Sequence, residues 1–325
     1  MRTKHSRALA RPFQFEPTTT GVTPEAAAYA EQSRAPATRR AYLTDTGRFA
    51  VWCVERGVSS LPASGETVAN FLSWMAENGF KAATIERNLV AISVAHGQVG
   101  VDSPRHCRLV RDVLRGIRRN LGVAPTRKRA LMTSDVAAML ATTTGGVKGI
   151  RDRAILCLAF SAALRRGELV ALDVSDFEFS RDGVLLRIRR SKGDQDGAGA
   201  VVGVPHGMSP DTCPVRQVRA WLATAGIAAG PVFRSVDRHG HVSGKRLSPK
   251  AVATIVKLLA KAVGIDPNTV GAHSLRAGLV TSALRAGKAE HAVMKHSRHT
   301  NVSVFRSYVR EPSLFTGNVA AGLGL

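Results

Sequence analysis

At 325 residues the chain is longer than a single core usually supports, because cores stop growing near roughly 250 residues, and two domains are the natural expectation. An apolar fraction of 44% with 22% charged residues excludes an intrinsically disordered chain. Lys and Arg number 46 against 24 Asp and Glu, a formal charge of +22 that suits a polyanionic partner. The excess is shared: residues 1–130 hold 20 basic and 10 acidic groups, residues 131–325 hold 26 and 14, so both halves are expected to face the polyanion.

Cys53, Cys107, Cys157 and Cys213 form no CxxC pair, which argues against a zinc site and a disulfide framework. The longest apolar run, Ala154 to Leu164, is about half of what crosses a bilayer. Arg11 and Pro12 interrupt the basic N-terminal stretch before any apolar segment of signal-peptide length, so the chain is expected to stay in the cell that makes it or to be imported by a receptor.

Residues 1–34 lack sustained periodicity and read as a flexible arm. A helical domain over 35–121 follows. Tyr42, Thr46, Phe49 and Cys53 share one helix face, with Thr38 as N-cap and Gly57 as stop; Val68, Phe71, Leu72 and Met75 mark a second helix; Ile85, Leu89 and Ile92 mark a third over Ala82–His96. Trp52 and Trp74 adjoin these stripes and read as packing residues. The fourth helix, Cys107–Leu121, sets Val110, Val113, Leu114, Ile117 and Leu121 against Arg108, Arg111, Arg115, Arg118 and Arg119, one side for the core and one cationic. Asp112 is the sole carboxylate between Arg105 and Arg119, so phosphate contact is the better reading of that face. Arg39, Arg40, Lys81 and Arg87 are further candidates for phosphate contact. A basic linker over 122–132 contains Arg127, Lys128 and Arg129.

The second domain, 133–325, opens on a helix capped by Thr133 or Ser134. A buried helix spans Gly149–Leu164, and strands over Gly183–Arg190 and Ala200–Pro205 flank a Gly/Asp-rich hairpin loop. Helices are expected over Cys213–Ala225, Ser248–Val263, Ser274–Gly287 and around Ser303–Tyr308. GAGAVVG at Gly197–Gly203 fits neither dinucleotide nor P-loop spacing, so nucleotide binding is discarded.

Basic and nucleophilic groups concentrate in ALRRGEL (Ala163–Leu169), SKGD (Ser191–Asp194), HSLRAG (His273–Gly278), SRHTN (Ser297–Asn301) and FRSYVRE (Phe305–Glu311). No acidic pair accompanies them to hold Mg²⁺. The chemistry indicated is phosphodiester chemistry without a metal, which needs cations, a nucleophile and an acid for the leaving oxygen.

These motifs, in this order, resemble the tyrosine recombinases or phage-type integrases, and among them the simple two-domain, Cre-like branch. The resemblance covers roughly residues 35–320. It implies a mainly α fold, with an N-terminal helical core-binding (SAM-like) domain and a C-terminal mixed α+β catalytic domain bearing a small antiparallel sheet. Arg165 matches the first catalytic arginine, Glu168 its buried partner, Lys192 the hairpin lysine, His273 and Arg276 the His-x-x-Arg box, and His299 the second histidine, nine residues before the nucleophile Tyr308. Two positions depart from the pattern: Ala277 stands where His is frequent, and Arg298 where Gly usually precedes the second His.

By that resemblance Tyr308 attacks the scissile phosphate to give a 3′-phosphotyrosyl link, Arg165 and Arg276 hold the non-bridging oxygens, Lys192 protonates the 5′-oxygen, His273 moves the tyrosine proton, and His299 bonds the phosphate. No cofactor, ATP or metal is required. The implied partner is double-stranded DNA with an inverted-repeat site, bound by a homotetramer that forms and resolves a Holliday junction, with Ser313–Leu325 docking on a neighbouring protomer. The implied location is cytoplasmic and nucleoid-associated. A type IB topoisomerase-like enzyme and a non-cleaving architectural DNA-binding protein of the same fold are the alternatives.

Overall fold

The computed structural model describes residues 23–124, 127–143, 145–191, 194, 197–306 and 308. The chain divides into two compact units between Thr126 and Arg127.

The first unit begins with α1 (Pro24–Gln32), inside the stretch read as a flexible arm. Its sequence, PEAAAYAEQ, has good helix formers, Pro in the first turn and a Thr23 side chain accepting the Ala26 N–H, but no apolar stripe for periodicity to detect. α2 (Pro36–Val54) starts two residues before the expected Thr38 cap: Pro36 initiates it, and Ala35 at the N-cap makes no side-chain bond. α3 (Gly65–Glu77) is capped by Ser64, α4 (Ala82–Gln98) follows Lys81, and α5 (Arg108–Leu121) follows Cys107. Phe49, Trp52, Cys53, Val68, Phe71, Leu72, Met75, Ile85, Leu89, Ile92, Val110 and Ile117 form its core, with Trp74 packed against it. The rings of Phe49, Trp52, Phe71 and Trp74 pack at centroid distances of 4.9 to 6.5 Å, so both tryptophans are packing residues. Burial of each large side chain contributes about 1.5–3 kcal/mol. Leu121, expected inward, is 43% exposed, because the helix ends there, at Gly122 with φ +70°.

The second unit starts at Arg127, so part of the stretch read as a linker belongs to it. The Arg129 N–H donates to the Thr269 carbonyl (2.8 Å) and the Leu131 N–H to that of Ser274 (3.0 Å). α6 (Thr133–Ala141) is capped by neither Thr133 nor Ser134: Asp135 reaches back to the Met132 N–H (2.8 Å) and pairs with Arg129. α7 (Gly146–Ser161) is the central core helix, packed against α9 (Pro214–Thr224) and α11 (His273–Arg285). It stops three residues short of the expected Leu164. Between α7 and α9 lie α8 (Arg166–Ala171) and a sheet of β1 (Phe177–Phe179), β2 (Gly183–Ile188) and β3 (Ala200–Pro205). The sheet is antiparallel in the order β1-β2-β3, with Leu186 opposite both Phe177 and Val202. Val184, Leu186 and Ile188 alternate inward, which made β2 legible.

A second sheet, β4 (Arg234–Val236) with β5 (Val242–Arg246), was not expected, since its short polar strands show no alternation. Arg246 on β5 pairs with Asp173 (2.6 Å), and Arg189 at the end of β2 bridges Asp173 and Asp176, so the base of the β2–β3 hairpin is fixed. α10 (Pro249–Ala262), α12 (Glu290–Ser297) and α13 (Val302–Arg306) complete the described elements. The architecture is mainly helical with small antiparallel sheets, as the sequence indicates.

Candidate active site

Two helix ends build the site. After α7 the Ala163 N–H bonds the Phe160 carbonyl and the Leu164 N–H that of Ala159, both at 3.0 Å, which is a Schellman turn with Ala163 at φ +48°. After α12 the Arg298 N–H bonds Lys295 O (3.2 Å) and the His299 N–H bonds Met294 O (3.1 Å), the same turn with Arg298 at φ +57°. These are the only non-glycine positions at positive φ among the described residues. The left-handed conformation costs an L-residue about 1–2 kcal/mol, and strain of this kind gathers at functional sites.

The first turn delivers Arg165 to the start of α8. Glu168 sits three residues on, accepting the Arg165 N–H at 2.9 Å through Oε2 and its guanidinium at 2.6 Å through Oε1. Burial alone would raise the Glu168 carboxyl, but these bonds and the Arg298 charge hold it below the usual carboxylate range. It is an anion, and it orients Arg165.

Arg276, in the first turn of α11, is 0% exposed. Its Nη1 donates to the Ala163 carbonyl (2.7 Å), while Nε and Nη2 have no partner among the described residues. Burial, with the nearby Arg165 and Arg298 guanidiniums, lowers its pKa to about 10, so it stays charged at neutral pH. Two buried, unpaired N–H groups on one side of a planar fork suit a bidentate oxyanion.

Tyr308 follows α13, whose Phe305 is buried with Val280 and Val293; Tyr308 packs on that cluster and donates its N–H to the Phe305 carbonyl (2.9 Å). Its hydroxyl lies 2.7 Å from Nε2 of His273, the first residue of α11. Burial raises the phenol pKa against the pull of Arg276, Arg127 and Arg165, so a nucleophilic Tyr308 needs a base.

His299 leaves the second turn with its ring centroid 5.4 Å from that of Tyr308 and edge-on to Phe305 at 5.7 Å. Its Nδ1 is 2.7 Å from the Ser297 hydroxyl, which itself donates to the Val293 carbonyl at 2.6 Å. Burial, then the Arg276 and Arg165 charges, push its pKa down to about 4, leaving a neutral imidazole.

The structure thus gathers Arg165, Glu168, His273, Arg276, His299 and Tyr308 in one place. Lys192 lies outside the described residues, as does Ser313–Leu325. Beside Lys192, Asp194 accepts the N–H groups of Gly197, Ala198 and Gly199 (2.8 to 3.1 Å) and pairs in a β-bridge with Ser191, which shapes the hairpin loop.

Among the DNA-contact candidates, Arg108, Arg111, Arg115, Arg118 and Arg119 line the exposed face of α5. Asp112 pairs loosely with Arg108 and Arg115, and Glu86 with Arg118, at 3.6 to 4.0 Å. Arg40 and Lys81 are exposed and Arg39 is half-buried. Arg87 is held by the buried Asp45 in two hydrogen bonds of 2.7 and 3.0 Å. Lys128 donates to the Asn268 carbonyl (2.5 Å) and Arg129 to Asp135, whereas Arg127 acts on the Tyr308 phenol.

Sequence reasoning missed Arg298, Ala163 and Ser297. The one signal present was an arginine where the resembled motif has glycine.

Residues 129–313 match the model of the phage integrase family. An integrase/recombinase XerD homologue from Selenomonas ruminantium is 35% identical over 293 residues, covering 89% of this chain and 85% of that protein. The Cre recombinase of Escherichia phage P1 is 25% identical over 288 residues, covering 83% and 82%. In fold, the XerH site-specific recombinase in a post-cleavage complex on a palindromic difH substrate superposes with a TM-score of 0.61 at 16% identity, over 88% of this chain and 79% of that one. The chain belongs to the phage integrase family, the tyrosine recombinases, enzymes that break and rejoin DNA strands.

Proposed function

We propose that this chain is a site-specific recombinase that cuts duplex DNA through a 3′-phosphotyrosyl link on Tyr308 and rejoins it to a partner strand. The observation that carries the reading is the 2.7 Å contact between Tyr308 and His273 beside the unpaired face of Arg276. Arg276 and Arg165 take the non-bridging oxygens of the scissile phosphate, where rigid guanidinium forks stabilise the charge of the pentavalent state. The Tyr308 oxygen bonds phosphorus as its proton passes to Nε2 of His273, and the bond to the 5′-oxygen breaks. Lys192 supplies the proton to that leaving oxygen, a role that rests on the family resemblance. The 5′-hydroxyl of a partner duplex then attacks the phosphotyrosyl bond and Tyr308 recovers its proton, so no external energy source enters the balance.

His299 sits beside the phenol as a neutral ring. With the Ser297 proton committed to the Val293 carbonyl, Nδ1 of His299 is the donor in their contact. Its Nε2 therefore carries a lone pair, and it takes a proton from solvent water when an anionic phosphate binds beside it. Two rounds of exchange on a homotetramer, through a Holliday junction on inverted-repeat sites, complete the reading, with the α5 arginines on the DNA backbone and the protein at the nucleoid.

An SDS-resistant protein–DNA adduct assay on fragments of the source replicon, in EDTA, tests this. The native chain is expected to form an adduct and Tyr308→Phe none; binding without an adduct from either chain contradicts the proposal.

A further inference from the structure

We infer that Arg298 is a positioning residue of this active site, its guanidinium holding Glu168 and the Ala163 turn so that Arg165, Arg276 and His299 keep one fixed spacing. The inference rests on the recombinase reading above and adds a residue to it.

The backbone supplies the first reason. Arg298 occupies the left-handed position of the α12 turn at φ +57°, where glycine sits without strain and arginine does not. What offsets that cost must come from the side chain.

The side chain supplies the second. It is 12% exposed. Nη1 donates to the carbonyls of Ala162 (3.2 Å) and His296 (3.1 Å), and Nη2 to the Ala163 carbonyl (3.1 Å) and Glu168 Oε2 (3.0 Å). None of these acceptors is solvent, and three of them lie more than 100 residues away in sequence, at the turn and helix that carry Arg165.

Each contact has a consequence for a neighbour. The Ala163 oxygen accepts from both Arg298 and Arg276, so one carbonyl sets the separation of the two guanidiniums. Glu168 gives Oε1 to the Arg165 guanidinium and shares Oε2 between the Arg165 N–H and Arg298. Two guanidiniums, those of Arg165 and Arg298, are thus bonded to one carboxylate, and with Arg276 beside them the cluster keeps a surplus of two positive charges. Without Arg298, Arg165 would be the only guanidinium bonded to Glu168, and more of its charge would be drawn away from a phosphate. Because Arg298 directly precedes His299, the same bonds fix where that ring leaves the turn. A lysine would carry the charge but could not spread donors over four acceptors in one plane.

The test uses the full chain and a target-bearing fragment recovered from the native protein's DNA adduct. Single-turnover cleavage, DNA affinity and the thermal unfolding midpoint are measured for native, Arg298→Gly, Arg298→Lys, Glu168→Gln and the Arg298→Gly/Glu168→Gln double variant. Arg298→Gly is expected to slow cleavage by about 10–100-fold. Its DNA affinity should stay within about threefold, a loss in the chemical step and not in binding. Its midpoint should fall only modestly, because the relief of strain at the turn offsets part of the lost bonds, and Arg298→Lys should recover part of the rate. The double variant should lose less than the two single losses combined, as groups acting through one another do.

Native cleavage by Arg298→Gly overturns the inference, as does a loss that tracks a lowered midpoint and vanishes on cooling. If the native chain forms no adduct at all, the recombinase reading fails separately. Crystal structures of native and Arg298→Gly then decide the positioning claim: Arg165 and Arg276 displaced in the variant uphold it, and native positions overturn it.

Discussion

The Tyr308 hydroxyl and Nε2 of His273 stand 2.7 Å apart although 35 residues separate them in sequence. Packing makes that contact: Phe305 on α13 is buried with Val280 of α11 and Val293 of α12, so the turn carrying the phenol is seated on the helix that carries the imidazole. On the proposed mechanism the proton acceptor is then in place before any substrate arrives, which removes reorganisation from the chemical step.

Replacing that base isolates its contribution. His273→Gln keeps a hydrogen-bonding group near the phenol but cannot accept its proton, and single-turnover cleavage is expected to fall by about 10²-fold or more. DNA affinity, measured by gel shift on the same fragment, should be nearly unchanged.

The Arg276 fork permits a similar separation of charge from geometry. Arg276→Lys keeps a cation and can still reach the Ala163 carbonyl, but loses the paired Nε and Nη2 donors. Cleavage should drop by about 10²–10³-fold, the usual loss when a donor aimed at developing charge is removed. The unfolding midpoint, recorded alongside, separates this from a folding defect.

His299 gives a pH signature of known sign. Its pKa falls to about 4 in the folded chain, so between there and the ordinary histidine range the unfolded state binds more protons than the folded one. Stability is therefore expected to decline as pH falls from the ordinary histidine range towards pH 4, by up to about 2 kcal/mol from this group after allowance for its partial exposure. Subtracting the pH profile of His299→Asn from that of the native chain should isolate this slope. Superimposable profiles would refute the assignment.

Gly278, the last residue of the HSLRAG motif, is needed for packing and not for chemistry. A Cβ there would lie 1.7 Å from the Leu131 carbonyl oxygen, where the irregular entry segment of the second unit crosses α11. Gly278→Ala should destabilise the chain by about 3 kcal/mol, at the upper end for overpacking because the obstacle is backbone. Chemical denaturation measures it, and a change under about 0.5 kcal/mol, the level of a neutral surface substitution, would contradict the crossing.

What the sequence made legible follows from which forces leave a periodic trace. Val184, Leu186 and Ile188 alternate because one sheet face is buried, and α4 repeats Ile85, Leu89 and Ile92 because one helix face is. α1 has neither pattern and rests on propensity and capping, so periodicity passed over it. The end of α7 misled for the opposite reason: Ala162, Ala163 and Leu164 are as buried as the helix before them, so an apolar run continues through a turn that has left helical geometry. Likewise, Arg87 reads as a free surface cation until the fold brings Asp45 to it from 42 residues away. The motif residues were legible because their types and spacings occur in a fixed order. Arg298 was not, because its partners at Ala162, Ala163 and Glu168 lie 130 or more residues earlier in the sequence.

The most direct test of the central claim is to locate the nucleotide on the protein. The SDS-resistant adduct, trimmed with nuclease and digested with trypsin, should release Ser307–Arg310, the peptide between Arg306 and Glu311, carrying one 3′-phosphonucleotide on Tyr308. Mass spectrometry that finds the nucleotide there upholds the account. A nucleotide on Tyr29, Tyr42 or any residue other than Tyr308 contradicts it.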